Sequence, residues 1–388
     1  MKTVIVLGGA GAMAQVTIND LLHYGKNIKV IIADMNIDQA RQRVKELKTN
    51  RITAEFVNLD DNKNIKKVIK KGDLVMNCAL SKYNLSVMEA ALETKTNYMD
   101  LSALPLTTLE QMKFDQNFRK ANLTAIIGIG AAPGISNLMA RYAYDQLDQV
   151  ESVRMRYATK SFVKSKQPIK FPYTPYGFLG QLENKSIVLD QGELKEVDSL
   201  TGEEYVEFPE PIGAMDVVYL SHPEPASMSV TFGGKGIQNI DAKIHVPIEF
   251  RQKVQLLWDL GFASSKPLKF KNKDFIPREV LTHLISKLPM ENLKPIDCGC
   301  YKITVIGKRD GERQEYTMEF ISRSQGAFSS TAVRTGTPIS LAAQMFFNGE
   351  ITQKGAFPPD VCINPKDFFK KLAERNLFVS LQVKNFIF

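Results

Sequence analysis

The sequence predicts an α/β protein: a doubly wound parallel sheet at the N-terminus, an α+β unit with a largely antiparallel sheet, and C-terminal helices that pack back on the first sheet. Three observations predict it. Short apolar runs alternate with helix-like stretches of about a dozen residues over the first third of the chain. Strand-like runs then follow one another with hairpin turns between them, and the tail becomes helical again. A chain of 388 residues has room for two domains and two sizeable cores. The expected divisions are 1–132, 133–335 and 336–388.

The opening "MKTVIVLGGAGAMAQ" has the basic residue, apolar run and small residues of a secretory leader. The apolar run stops at Leu7, however, short of the about 7–15 residues a leader's core needs. It reads instead as a buried strand, Thr3 to Leu7, entering a glycine turn and then a helix. Gly9, Gly11 and Ala14 form G-x-G-x-x-A, "AQVTINDLLHYG" is a helix closed at Gly25, and "NIKVIIAD" is a second strand ending on Asp34. Strand, tight turn, helix, strand and acid, in that order, make a dinucleotide site. Gly9 permits the turn and Gly11 lets the backbone approach a pyrophosphate. Ala12 and Met13 open the helix whose free N–H groups face the phosphates. Asp34 accepts from the ribose hydroxyls, which predicts NAD, with NADP possible.

The alternation continues through "ITAEFVNLD", "NKNIKKVIKKG", "DLVMNCAL", "NLSVMEAALETK", "NYMDLS", a helix from Leu106 to Ala121, and "TAIIGIG". In such folds the carboxyl ends of the strands carry function. That edge includes Asn77 and Ala79, assigned to the cofactor, Asp100, and the turn Gly130 to Asn137. Beyond it, "VESVRMRYATKSF", "YVEFPEP", "DVVYLSH", "MSVTFGG", "NIDAKIHVPIEF", "CYKITVIGKRDG" and "QEYTMEFI" read as strands, with Asp310-Gly311 as a hairpin turn. In the tail, Thr337 as N-cap, Pro338 and Gly349 bracket one helix, and Asn364-Pro365 opens another.

Composition narrows the function classes. At 44% hydrophobic and 24% charged residues this is an ordinary globular composition, with no apolar run of about 18 residues to span a membrane. Four cysteines make no disulfide framework at this length and fit a reducing, cytoplasmic setting. The net charge of +8 lies in dispersed lysine clusters without interleaved aromatics, so no nucleic acid is expected. A mild positive field suits an anionic cofactor or a carboxylate substrate.

"APGISNLMARYAYDQLDQVESV", "NYMDLS" and "TGTPISLAAQMFFNGEITQKGAFPPD" fall, with the glycine fingerprint, in one order across nearly the whole chain. In them the sequence resembles the saccharopine dehydrogenase family, with a layout similar to its lysine 6-dehydrogenases. The resemblance implies a Rossmann domain, a second α/β domain and a nicotinamide cofactor. It also implies oxidation of a C–N bond in an amino acid or secondary-amine adduct of the lysine or saccharopine type, or the reverse reduction. A homodimer is expected. One departure bears on substrate: a histidine-bearing stretch expected in a lysine 6-dehydrogenase is absent after "SHPEPASM".

Amine oxidation requires a hydride acceptor, a base for the nitrogen's proton and for water, and a clamp for the substrate carboxylate. Of the four histidines, His23, His245 and His283 read as structural. His222 lies in a Pro-flanked loop beside Glu224, forming either a proton-relaying pair or an ordinary exposed loop. Asp100 closes the fifth strand where nicotinamide would lie, or caps the next helix. Arg334, ahead of the Thr337 helix, offers a bidentate clamp for a substrate carboxylate, or merely flanks the helix. The catalytic candidates are therefore His222, Glu224 and Asp100, with Arg334 for substrate. Cys298-Gly-Cys300 lacks two further ligands for zinc, so no metal is expected. Two other readings stand beside the amine oxidoreductase. One is a nucleotide-binding sensor without turnover; the other is an oxidoreductase for a hydroxyl or aldehyde, for which Cys78 is the cysteine near the cleft.

Overall fold

The computed structural model describes residues 1–289 and 293–386. Seven parallel strands form the first sheet, in the spatial order Gly355–Phe357, Thr124–Ile126, Asn97–Asp100, Leu74–Asn77, Lys2–Leu7, Ile28–Asp34 and Ile52–Phe56. Val4 to Leu7 are fully buried because helices cover both faces, which is why the strand reads as a continuous apolar run. The chain order reverses on either side of this strand. The crevice outside Leu7 is therefore the topological switch point, where ligands of such sheets bind.

The second sheet has nine strands and is antiparallel except where Asn239–Ile244 pairs parallel to Gln149–Ser161. Its centre is the long hairpin Asp297–Arg309 and Glu312–Arg323. Asp310 (φ 52°) and Gly311 (φ 82°) make its turn, both left-handed as a two-residue hairpin loop demands. The segment after residue 335 contributes to both sheets: Gly355–Phe357 edges the first and Phe378–Asn385 the second.

Several elements differ from the sequence reading. "MSVTFGG" is not a strand; its first residues end the helix Glu224–Thr231, which Pro223 and Pro225 start and whose small buried face packs on the helix Pro105–Met112. The long helix expected from Leu106 is two, Pro105–Met112 and Asp115–Lys120. "NIDAKIHVPIEF" leaves the sheet at Ile244, and a helix, Ile248–Asp259, follows Pro247. The helix expected from Thr337 starts about two turns earlier. It runs from Ser330 to Phe347, with the Ser329 hydroxyl accepting from Ala332 N and Pro338 inside it. Proline there forfeits one helical hydrogen bond, and burial of most of this helix holds it together regardless. It crosses the first helix, Ala12–Tyr24, so the tail does return to the first domain.

In place of two separate cores, one cluster runs from Val4 and Ile18 through Ile135 and Leu138 to Tyr157, Ile303 and Phe320, joining the inner faces of both sheets. A second cluster, including Ile5, Leu7, Val75 and Val87, fills the outer face of the first sheet. Among the described residues no helix is long and apolar enough to cross a membrane.

Candidate active site

At the switch point the strand Lys2–Leu7 ends in a turn that is tightly packed at Gly8 and Gly9. Gly8 takes φ +66°, and a Cβ there would come within 2.8 Å of the Ala79 backbone. A Cβ on Gly9 would lie 2.7 Å from Ile32 Cγ2 and 2.9 Å from Val6 O. The left-handed residue is thus Gly8, not Gly9; the fingerprint spacing passes over it. Gly11 is the N-cap of the first helix and brings no side chain to cap it. Its missing Cβ would meet only Gly8 O, at 3.2 Å, so this side of the turn is open. The first-turn N–H groups, from Ala12 and Met13 onward, are left to an external acceptor, and the helix dipole favours an anion there.

Asp34 ends its strand beside this turn. Its Oδ2 accepts from Ala10 N at 3.0 Å and its Oδ1 from Asn36 N at 2.9 Å, which fixes the carboxylate at the rim. Of the nearby cations, Arg43 is tied to Asn19 and Glu46, while Arg41 is exposed beside Asp38. Asn77 is buried and spends its amide on Ala79 N (3.1 Å) and Asn84 Oδ1 (2.7 Å), shaping the loop that Gly8 abuts. A turn with no room for a Cβ, an uncapped helix start and a rim carboxylate fit a dinucleotide.

Asp100 turns inward. Its carboxylate accepts from Tyr98 OH (2.8 Å), Gln111 Nε2 (2.6 Å) and Gly128 N (2.9 Å), all within the first domain. Burial pushes its carboxyl up to about 6, against these donors. The residue clamps the strand end and the following loop.

Glu224 and His222 lie where the two halves meet. The loop expected to be exposed is buried, because the helix Glu224–Thr231 docks on the first domain and covers it. Glu224 is 0% exposed; its Oε1 accepts from Ser136 Oγ at 3.0 Å and from Tyr157 OH at 2.8 Å. Ser136 belongs to the first turn of the helix Ile135–Gln146, which follows the sixth strand in the chain, and Tyr157 to the second sheet. His222 Nδ1 lies 3.3 Å from Glu224 Oε2, without hydrogen-bond alignment. Burial pushes the Glu224 carboxyl up, but the adjacent His222 imidazole, its own backbone N–H and the Tyr157 hydroxyl outweigh it and hold it below the ordinary carboxylate range. Among the described residues Ser221 Oγ, His222 Nδ1 and Glu224 Oε2 are buried and make no hydrogen bond. Three orphaned polar atoms within four residues are costly in a dry interior, and a bound polar molecule would satisfy them.

Arg334 sits inside its helix, 5% exposed. All five N–H donors are committed to hydroxyls: Nε to Tyr301 OH (3.0 Å), and the terminal nitrogens to Ser330, Ser322, Thr159 and Thr331. No donor is left for a substrate carboxylate. A Cβ on Gly299 would overlap this guanidinium, so the glycine of Cys298-Gly-Cys300 is there for the arginine. Both cysteines are buried, and burial pushes the Cys300 thiol up to about 12. Among the described residues no three His, Cys, Asp or Glu side chains are grouped to hold a metal.

Residues 4–126 match the saccharopine dehydrogenase NADP binding domain and residues 130–377 the saccharopine dehydrogenase C-terminal domain. The chain belongs to the saccharopine dehydrogenase family. It is accordingly an oxidoreductase that uses a nicotinamide dinucleotide and acts on a C–N bond. A carboxynorspermidine synthase of Vibrio cholerae is 25% identical over 88% of each chain. A carboxyaminopropylagmatine dehydrogenase of Synechocystis is 19% identical over 96% of each. The glutamate-forming saccharopine dehydrogenase of Saccharomyces cerevisiae is 27% identical over 51% of this chain and 44% of its own length. The apo structure of a yeast saccharopine dehydrogenase of that type superposes with a TM-score of 0.75 at 17% identity, over 99% of this chain and 100% of that one. The family's fold is thus present from end to end.

Sequence reasoning missed Tyr157, Tyr301 and Gly299, and it placed Gly8 and Ser136 at the functional edge of the first sheet without giving either a role. Only the glycines left a signal: "LGGAG" holds one glycine more than the fingerprint counts, and "CGC" puts one between buried cysteines.

Proposed function

We propose that this enzyme interconverts a carboxylate-bearing secondary amine with the imine of its carbonyl and amine halves, the amine half being a di- or polyamine. The carrying observation is the buried Glu224–His222–Tyr157 cluster at the junction of the nucleotide sheet and the second sheet, with its orphaned acceptor and donor. The nicotinamide ring, when bound, exchanges a hydride with the carbon of the C–N bond. Glu224, held ionised at Oε2, and His222 at Nδ1 move the proton at the substrate nitrogen and at the water that opens the imine. The Tyr157 and Ser136 hydroxyls orient the carboxylate. A cationic amine is drawn to this buried carboxylate, and closure of the two halves around it excludes bulk water.

The polyamine class is favoured over lysine because the relatives aligned over most of this chain are named for carboxylated polyamine-type products, whereas the saccharopine enzyme aligns over half of it. The missing histidine stretch points the same way. Asp34 argues for NAD, since its charge repels a 2′-phosphate while Arg43 is engaged elsewhere, whereas the matched domain is named for NADP, so the enzyme is proposed to use NAD(P). The aldehyde reading loses support, since burial pushes the Cys78 thiol up to about 12 and leaves little thiolate. The test is a panel of diamines, agmatine and lysine, each with a carboxylate-bearing aldehyde, followed by NADH and NADPH absorbance. Turnover confined to polyamine-type amines is expected. Turnover confined to lysine would overturn the substrate class, and none at all would favour the sensor.

A further inference from the structure

Among the described residues Arg334 is a buried cation with no carboxylate partner, and its donors are all used. The sequence suggested a substrate clamp; the geometry leaves it no free N–H for one. Its surroundings run in a line toward the proposed reacting groups. Arg334 Nε donates to Tyr301 OH at 3.0 Å. The Tyr301 ring packs on Tyr157 at 4.6 Å between centroids. Tyr157 OH donates to Glu224 Oε1 at 2.8 Å, and its ring lies 5.3 Å from that of His222. Each member of this row is at most 8% exposed. One end carries a lone positive charge; the other carries the carboxylate and imidazole to which the preceding section gives the proton chemistry.

We infer that Arg334 is a positioning residue that fixes Tyr301 and, through it, Tyr157 against Glu224, and whose charge helps to set the pH range in which the Glu224–His222 pair works. This rests on the assignment of that pair as the acid–base group. The charge is poorly screened because the path is dry, so an interaction over several residues survives. Neutral hydroxyls satisfy the guanidinium without cancelling its charge, which a carboxylate in the cage would have done. Gly299 preserves the arrangement, since any larger residue would push the guanidinium off Tyr301. The groups facing Glu224 are His222 on its own loop, Ser136 at the start of the helix Ile135–Gln146, Tyr157 from the second sheet and, behind it, Tyr301 and Arg334. Both charges reach Tyr301: Arg334 pulls its hydroxyl down and Glu224 pushes it up, beneath a larger effect of burial that keeps it protonated.

The test needs no substrate. The carboxyl carbon of Glu224, assigned by its loss in Glu224→Gln, is followed by NMR across pH in the full chain. Arg334→Gln keeps hydrogen bonds to the hydroxyl cage and removes the charge. Its Glu224 midpoint should rise by roughly half to one pH unit, the size of a Coulomb interaction across a few side chains at an effective dielectric of about 20. Arg334→Lys, which keeps the charge, should stay near wild type, and the acid limb of kcat should move with the midpoint while KM changes little. A folded Arg334→Gln with an unmoved midpoint overturns the inference. So does a case in which Arg334→Gln and Arg334→Met both fail to fold while Arg334→Lys folds, because the cation is then structural. If the midpoint moves but no amine turns over, the electrostatic coupling stands and the proposed function falls instead.

Discussion

Replacing Gly336 with alanine should loosen the nucleotide site from behind, although alanine is the better helix former. Gly336 lies where the helix Ser330–Phe347 crosses the first helix, and the two backbones touch. A Cβ at this position would overlap the Met13 carbonyl oxygen and approach Val16 Cβ to 2.8 Å and Thr17 N to 3.1 Å. Thr17 Oγ1 also donates to Gly336 O at 2.9 Å. Helix propensity favours alanine by about 1 kcal/mol. Against that stand overpacking, about 1–3 kcal/mol where the obstructing atoms are backbone, and loss of a buried hydrogen bond, about 1 kcal/mol. The net expectation is a destabilisation of about 1–3 kcal/mol. Because the helices part at Met13, in the first turn that faces the cofactor, the dinucleotide dissociation constant should rise as well, by about tenfold for each 1.4 kcal/mol that binding must spend to restore the turn. Denaturant unfolding gives the first quantity and NADH fluorescence titration the second. A Gly336→Ala protein at least as stable as wild type, with unchanged cofactor affinity, would refute the reasoning.

Asp100 should make stability fall as pH rises. Its native carboxyl is raised from 3.8 to about 6, so the folded state holds the proton more tightly. That contribution is full below the unfolded value and is lost as pH climbs through about 6, a change of about 3 kcal/mol at 1.36 kcal/mol per unit; Asp100→Asn should abolish this part of the slope in unfolding experiments at stepped pH, and an unchanged slope would count against it. Asp34→Asn should weaken NAD and improve relative NADP binding by roughly tenfold, as one hydrogen-bonded pair and one repulsion are removed together; titration with both dinucleotides checks it, and an unchanged ratio refutes it. Asp20→Ala should cost about 2–4 kcal/mol, because it removes the carboxylate that Arg375, 5% exposed on its side chain, pairs with at 2.7 Å and to which Ser340 and Gln344 also donate, leaving Arg375 only the exposed Glu374 at 3.7 Å as a counter-charge among the described residues. Thermal unfolding reads it, and a loss below about 1 kcal/mol would show the pair to be dispensable.

By itself the sequence determined the local grammar of this protein. A strand buried on both faces must be apolar throughout, a turn pressed between strand ends must be glycine, and a two-residue hairpin must place left-handed residues at Asp310 and Gly311. Each of these constraints acts within a few residues, so Val4 to Leu7, the glycine turn at Gly9 and Gly11, the strand end at Asp34 and the alternation of strands and helices in the first sheet were legible. The same locality explains the errors. Pro338 marks a helix start by its own chemistry, yet contacts with the first helix carried the helix through it. "MSVTFGG" has strand-like residues, yet docking against Pro105–Met112 made its first part helical and buried His222 and Glu224. Only the tertiary structure could turn Asp100 inward, enclose Arg334 in hydroxyls over Gly299, and bring Ser136, Tyr157 and Glu224 together from segments far apart in the chain. These side chains acquire their roles from long-range packing, and nothing in their immediate neighbours encodes which distant group they will face.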